Sequence, residues 1–361
     1  MALAHRSIVT IDDVSVEELF RIFEVAERMC VELRSRSSIH HALGYLLASL
    51  FFEPSTRTRL SFETAMHRLG GRVIGFTDAS MSSVAKGETL ADTVRIVASY
   101  ADILVLRHPR EGSVRAAADH SPVPVINAGD GGHEHPTQTL TDLFMLHYER
   151  GGIDGLHIGL CGDLKYGRTV HSLLRALRHF DVRLTCIAPK ALQLPPEPFS
   201  PGQKVECTEN LEEVIGELDV LYMTRIQKER FEDPKEYERY KGTYIITPEL
   251  LERAKPDLFI MHPLPRVDEI SYRVDTDHRA VYFGQAAYGV PVRMALLLLL
   301  LGLEDSSDLP PPPPPQVEYR HDFRCSNPRC ITHSEPYLAP KVEVRSSGEM
   351  RCAYCQRFAS L

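Results

Sequence analysis

Residues 51–64 read F-F-E-P-S-T-R-T-R-L-S-F-E-T, and the five from Ser55 to Arg59 decide how the chain is built. An apolar run, Tyr45 to Phe52, precedes them. After them Phe62, Ala65, Met66 and Leu69 fall at helical spacing, and Gly70-Gly71 supplies a stop. The segment therefore reads strand, tight loop, helix. Its hydroxyls and free backbone N–H groups collect where the helix dipole favours an anion. Arg57 and Arg59 add fork-shaped donors that fit phosphate or carboxylate oxygens. An N-cap with two solvated arginines would use the same residues without a ligand. No G-x-x-x-x-G-K-S/T occurs, so this is not a nucleotide P-loop. The pattern points to a small phosphorylated ligand.

The alternation continues outward. Helical periodicity covers 11–34, where Leu19, Ile22, Phe23, Ala26 and Met29 keep the period. Strand patterns appear at 45–52, 72–76, 102–106, 123–126, 156–161, 182–187, 219–222, 258–261 and 280–282, with helical patterns between most of them. This predicts an α/β fold of two doubly wound parallel-sheet domains, divided near 133–150, with a further helix over 289–303. A length of 361 residues and 43% hydrophobic content support two such cores and a small extra module. The net charge of −8 argues against nucleic acid as partner, so an anionic substrate must be held by local arginines. No signal peptide and no apolar stretch of membrane-span length is expected, which suggests a cytoplasmic protein.

After Leu303 the texture changes. An acidic, serine-containing stretch leads into Pro310 to Pro315, a semi-rigid spacer at about 3 Å per residue; a proline-rich recognition motif is the alternative. The module beyond it is too small to fold on its own apolar core. It carries Cys325-x4-Cys330 and Cys352-x2-Cys355, a spacing suited to a closed, structural Zn²⁺ site. Two disulfides are the other reading. Six Lys/Arg against four Asp/Glu make a poor nucleic-acid footprint, so docking is favoured over DNA binding. Cys30, Cys161, Cys186 and Cys207 are scattered, as in a reducing compartment.

Further cationic and polar groups fall at strand ends, where open α/β sheets bind ligands. Arg107 ends strand 102–106, Arg168 follows strand 156–161, and Arg225 and Gln227 follow strand 219–222. Ser82 and Lys86 lie in a polar loop that, alone, reads as ordinary surface. Gly129 to Gln138 is a glycine-rich turn opening a helix, with His135 and Gln138 on its first turn. There the dipole favours a neutral imidazole that donates to a carbonyl oxygen; a capping histidine is the plainer reading. His262-Pro263-Leu264-Pro265-Arg266 fixes a turn after strand 258–261. No acid/base carboxylate pair, Ser-His-Asp order or catalytic metal set is evident. The chemistry implied is transfer between anionic substrates by positioning and electrostatic stabilisation.

With S-T-R-T-R, the His262-Pro263-Leu264-Pro265 turn and Arg225-Ile226-Gln227 in hand, the chain over about 5–303 resembles the catalytic chains of aspartate carbamoyltransferases. The C-S-N-P-R-C-I-T-H-S-E-P segment resembles the zinc domain of their separate regulatory chains. The resemblance implies a carbamoyl-phosphate-binding domain over 1–134 completed by helix 289–303, and an aspartate-binding domain over 135–288. It also implies a proline-rich linker over 304–320 and a zinc-binding domain over 321–361. The implied reaction joins carbamoyl phosphate and L-aspartate to give N-carbamoyl-L-aspartate and phosphate, the committed step of pyrimidine synthesis. Implied catalytic residues are Arg57, Thr58, Arg107 and His135. Carbamoyl phosphate would meet Ser55, Thr56, Arg57, Thr58, Ser82, Lys86, Arg107, His135 and Gln138. Aspartate would meet Lys86, Arg168, Arg225, Gln227, Pro263 and Leu264. Zinc on Cys325, Cys330, Cys352 and Cys355 would be structural, with no catalytic cofactor. A homotrimer with shared active sites is implied, because Ser82 and Lys86 match a loop that reaches a neighbour's site; the zinc domain could extend that assembly. Rival readings are carbamoyl transfer to another amine such as ornithine, and an inactive scaffold.

Overall fold

The apolar run ahead of Ser55 becomes β1 (Leu46–Phe51), a central strand in a parallel sheet with β2 (Arg72–Phe76), β3 (Ile103–His108) and β4 (Val125–Asp130), in the order β2-β1-β3-β4. The computed structural model describes residues 3–35, 39–77, 86–194, 205–226, 234–320, 322–345 and 348–359. Strands β1 and β3 are buried along most of their length and built from Leu, Val, Ile and Phe, as a parallel sheet covered on both faces requires. Around it lie α1 (Val16–Ser35), α2 (Thr56–Arg68), α3 (Leu90–Ala98) and α4 (Ser113–His120). The strand order reverses between β1 and β3. The loops after these two strands therefore leave in different directions and open a crevice at their carboxyl ends.

The second sheet repeats the plan. It contains β5 (His157–Cys161), β6 (Arg183–Ile187), β7 (Val205–Thr208), β8 (Val220–Met223) and β9 (Phe259–Met261), all parallel, in the order β7-β6-β5-β8-β9. Here the order reverses between β5 and β8. Its helices are α5 (Pro136–Arg150), α6 (Arg168–Leu177), and the short α7 (Leu211–Val214), α8 (Pro234–Tyr240) and α9 (Pro248–Leu251). The long α10 (Tyr282–Leu300) follows.

By its contacts the chain forms two compact units, Met1–Thr137 with Val290–Leu361, and Gln138–Gly289. Helix α10 is long and apolar enough to cross a membrane by length and composition, contrary to expectation. However, 67% of that window is buried in the fold, and Leu296 to Leu300 are fully covered.

The C-terminal module is a three-stranded antiparallel sheet of β10 (Gln316–Tyr319), β11 (Lys341–Val344) and β12 (Met350–Cys352). Its apolar residues Phe323, Leu338, Val342 and Tyr354 join the same cluster as Val94, Val114 and Ala117 of α3 and α4. The module borrows a core that it is too small to build alone.

Three expectations need correction. Helix 11–34 splits into a single 3-10 turn at Ile11–Asp13, then α1, because Asp13 closes a capping box with Thr10. The strand at 280–282 is one bridge, Ile260 to Ala280, since Tyr282 already begins α10. That helix starts seven residues earlier than 289. Strand β7 carries no strand signal in the sequence: Val205–Thr208 lies half-exposed at the sheet edge and shows no apolar run.

Gly162 shows how closely the second sheet's critical strand ends approach. Its φ is +114°, and a Cβ there would lie 2.1 Å from the Thr224 carbonyl oxygen, just past β8. Gly151, also at positive φ (+76°), faces open space. Gly162→Ala should therefore cost about 2–5 kcal/mol in urea unfolding, through strain plus overlap. Gly151→Ala should cost only the left-handed penalty of about 1–2 kcal/mol. Equal costs would refute the close-approach argument.

Candidate active site

In the first unit the crevice between β1 and β3 gathers the predicted anion cradle. Ser55 caps α2 in extended conformation without using its own hydroxyl for the cap, so that hydroxyl is left for other work. Thr56 and Arg57 are exposed on the first turn, whereas Thr58 is buried. Arg107, at the end of β3, donates to the Ala128 carbonyl at 3.2 Å and pairs with Glu53 at 2.6 Å. Burial lowers the Arg107 pKa, against the raising effect of Glu53. Burial also lowers that of Arg57, and the charge of Arg107 lowers it further. The Arg107 Nε is buried without a hydrogen-bond partner among the described residues. Two guanidinium groups whose charge burial disfavours, Arg57 also feeling the charge of Arg107 and Arg107 holding an orphaned donor, form a site that an anion would relieve.

His135 stands immediately ahead of α5, with its Nε2 3.4 Å from the Thr58 hydroxyl. Both are buried. The loop that delivers it is tied by Asp130, whose carboxylate accepts from Gly112 N (2.8 Å), Asn127 Nδ2 (3.0 Å) and Glu134 N (3.1 Å), and faces His133 Nδ1 (3.0 Å). Thr58, Arg107 and His135 thus stand in one unit as potential donors to a developing oxyanion. Lys86 is exposed ahead of α3; Ser82 lies outside the described residues.

In the second unit Arg168 begins α6 just after β5, and Arg225 follows β8. Their strand ends are tied by the Thr224 amide and hydroxyl, which donate to the Cys161 carbonyl at 2.8 and 3.0 Å. Both arginines are half-buried. Gln138 lies on the first turn of α5 and donates to Asp142 at 2.7 Å. Pro263 and Leu264 are half-buried on a constrained turn: the Leu264 amide donates to His262 Nδ1 at 2.7 Å, and His262 Nε2 lies 2.7 Å from Glu269. Burial, the largest single influence, would raise Glu269, but the hydrogen bond and charge of His262 together with backbone N–H donors hold the carboxyl below its usual range. Gln227 lies outside the described residues. Glu53, Asp130 and Asp142 escaped the sequence reading: a carboxylate that works by holding another side chain carries no local spacing signal.

The module's four cysteines, Cys325, Cys330, Cys352 and Cys355, are all buried, with their sulfurs within 4.8 Å of one another. Cys325 and Cys355 are 3.6 Å apart and Cys330 and Cys352 3.9 Å, too far for disulfides. Four thiolates around one Zn²⁺ at about 2.3 Å would stand about 3.8 Å apart, so the cluster fits a tetrahedral metal ion. The sulfurs compete for charge. Contacts with its neighbours, Cys325 first, push the Cys330 thiol down, while the same contacts push Cys325 and Cys352 up. A cation would remove that conflict.

The module also grips the loops that present Arg107 and His135. Glu111 N donates to Arg329 O (3.0 Å), Ile331 N donates to Glu111 O (2.9 Å), and Asn327 Nδ2 donates to the Glu111 carboxylate (2.8 Å). His133 Nε2 lies 3.4 Å from Gln356 Oε1. At the head of α3, Ala91 N donates to the Tyr337 hydroxyl at 3.0 Å.

Three family models match the chain in order. Residues 6–148 match the aspartate/ornithine carbamoyltransferase carbamoyl-phosphate-binding domain, and 154–300 match the aspartate/ornithine-binding domain. Residues 317–360 match the metal-binding domain of the aspartate carbamoyltransferase regulatory chain. The aspartate carbamoyltransferase catalytic subunit of Thermococcus gammatolerans is 56% identical over 302 residues, 82% of this chain and 98% of that one. That of Clostridium novyi is 53% identical over 84% and 100% of the two chains. Among solved structures, the catalytic subunit of M. jannaschii aspartate transcarbamoylase superposes with a TM-score of 0.78 at 51% identity, covering 82% of this chain and 98% of its own. The Trypanosoma cruzi enzyme in complex with N-(phosphonacetyl)-L-aspartic acid gives 0.79 at 41%, covering 83% and 97%.

Because the module's core is shared and its cluster fits a metal, chelation should loosen its grip on Glu111. Hydrogen exchange at the Glu111 and Ile331 amides should rise on the order of a hundredfold or more, while the β5–β8 amides keep their protection. Unchanged exchange at both amides after verified metal removal would refute this.

Proposed function

Because the chain belongs to the aspartate/ornithine carbamoyltransferase family, we propose that it divides carbamoyl transfer between two anion-binding strand-end clusters, one in each unit. The activity is that of an aspartate carbamoyltransferase: carbamoyl phosphate and L-aspartate give N-carbamoyl-L-aspartate and phosphate. Among the relatives named above all are aspartate enzymes, so ornithine as acceptor is disfavoured. The observation that carries the residue roles is the pairing of Arg57 with a desolvated Arg107, whose Nε is orphaned, beside buried Thr58 and His135.

In this reading Ser55, Thr56, Arg57, Thr58 and Arg107 take the phosphate. Thr58, Arg107 and His135 donate to the carbamoyl oxygen, and Gln138 meets the carbamoyl amide. Arg168, Arg225 and Gln227 take the carboxylates of aspartate, beside the Pro263-Leu264 backbone. The amine nitrogen of aspartate bonds to the carbamoyl carbon and the carbon–oxygen bond to phosphate breaks; the departing phosphate takes the amine proton. Arg57 stabilises that leaving group, and hydrogen bonds that strengthen as charge develops lower the barrier.

We further propose that the structural metal is zinc, held by Cys325, Cys330, Cys352 and Cys355, and that it supplies folding free energy to the module. The product points to pyrimidine synthesis, and we propose the cytoplasm as the location. A trimer completed by Lys86, with Ser82 in the same loop, fits the exposure of Lys86. It also fits the exposed apolar Leu43, Leu60 and Ile74 on the first unit, the last on the edge strand β2.

Arg57→Ala should lower turnover about 10²–10³-fold with far-UV circular dichroism unchanged. A near-parental rate would sink the assignment of Arg57, and faster carbamoylation of ornithine than of aspartate by the parent chain would sink the acceptor assignment.

A further inference from the structure

Asp142 has no place among the substrate-binding residues, yet the second unit's site segments converge on it. Its side chain is fully buried, one helical turn beyond Gln138 on α5. One carboxylate oxygen accepts from Gln138 Nε2 and from Gln285 Nε2, each at 2.7 Å; the other accepts from the Tyr222 hydroxyl at 2.8 Å. We propose that Asp142 is the positioning residue of the second unit's site, holding in one fixed arrangement Arg168, Arg225 and the 262–264 turn, which meet aspartate, and Gln138, which meets the carbamoyl amide. This inference rests on the reading that the second unit binds aspartate.

Gln138 is held directly. Gln285, itself fully buried, uses its amide nitrogen on Asp142 and its amide oxygen to accept from His262 N at 2.8 Å. Only one orientation of that amide satisfies both ends, so the turn bearing Pro263 and Leu264 is anchored through it. Tyr222 lies on β8, three residues before Arg225, and its hydroxyl is also bonded to Thr169, the residue after Arg168. The helix head after β5 and the loop after β8 thus meet on one hydroxyl that Asp142 orients.

A carboxylate is a poor choice for filling a core. Sealed from water, it is costly unless donors are aimed at it, and a buried polar network replaced whole by apolar side chains of similar volume often leaves a fold as stable. What the carboxylate adds is direction. It is the common acceptor for Gln138, Gln285 and Tyr222, on α5, α10 and β8.

The test compares Asp142→Asn, Gln285→Met and Tyr222→Phe with the parent chain by steady-state kinetics, calorimetric titration of inorganic phosphate and thermal melting. Asparagine keeps the shape but turns an acceptor into a donor facing other donors. Asp142→Asn should raise the KM for aspartate about tenfold to a hundredfold, since small misplacements of binding groups cost that much. Gln285→Met and Tyr222→Phe should each raise it by less. Phosphate affinity, which belongs to the first unit, should stay within about twofold of the parent. A KM for aspartate within twofold of the parent in Asp142→Asn would overturn the proposal. So would a parallel loss of phosphate affinity and melting temperature, which marks a merely structural role. If the parent itself fails to carbamoylate aspartate, the functional reading falls and this inference with it.

Discussion

A parallel sheet whose strand order reverses leaves two neighbouring strands with their following loops drawn to opposite faces, and everything chemical in this chain depends on that opening. It occurs twice, between β1 and β3 and between β5 and β8. At the first stand Ser55 to Arg59 and Arg107; at the second stand Arg168 and Arg225. A chain with net charge −8 does not attract two anionic substrates through its overall field. Local desolvation must supply the attraction. Burial disfavours the charges of Arg107 and Arg57, and a bound phosphate would repay part of that cost. Glu53, 2.6 Å from Arg107, orients the guanidinium.

The C-terminal module extends the same logic to stability. Its sheet has three short strands, and its apolar residues complete the cluster built by α3 and α4. Gly112, at φ +82°, marks how tightly the two meet, since a Cβ there would lie 2.7 Å from the Tyr354 backbone. The contacts fall on Glu111, His133 and the head of α3, segments that flank Arg107, His135 and Lys86. A four-thiol cluster at the centre of such a module couples the metal's binding energy to loops that carry chemistry. The module is thus part of the scaffold of the first unit.

Much of this was legible in the sequence because it is local. A strand, a hydroxyl-rich loop and a helix read directly at 45–69, and β1 and α2 stand there. Two cysteine pairs at metal-ligand spacing converge as expected. Arginines written just after apolar runs land at strand ends, because a parallel strand always delivers its next residue to the same edge. Illegible features are those decided by distant partners. Val205–Thr208 pairs only because β6 offers its edge, and 280–282 looks like a strand until the helix that absorbs Tyr282 is seen. The docking of the module on Glu111 joins residues more than two hundred positions apart.

The two units solve the problem of holding loops beside an open crevice in the same way. Each commits a fully buried aspartate to the task. In the first, Asp130 gathers Gly112, Asn127, His133 and Glu134, and so fixes the approach to His135. In the second, Asp142 gathers Gln138, Gln285 and Tyr222. Backbone amides at loop starts have no sheet partner, and apolar packing constrains position without constraining direction. A carboxylate with several acceptor sites does both, provided donors surround it. Such residues are invisible to motif reading because they touch neither substrate nor metal. Their role follows from geometry: a buried acceptor whose donors lie on different elements makes those elements move together or not at all.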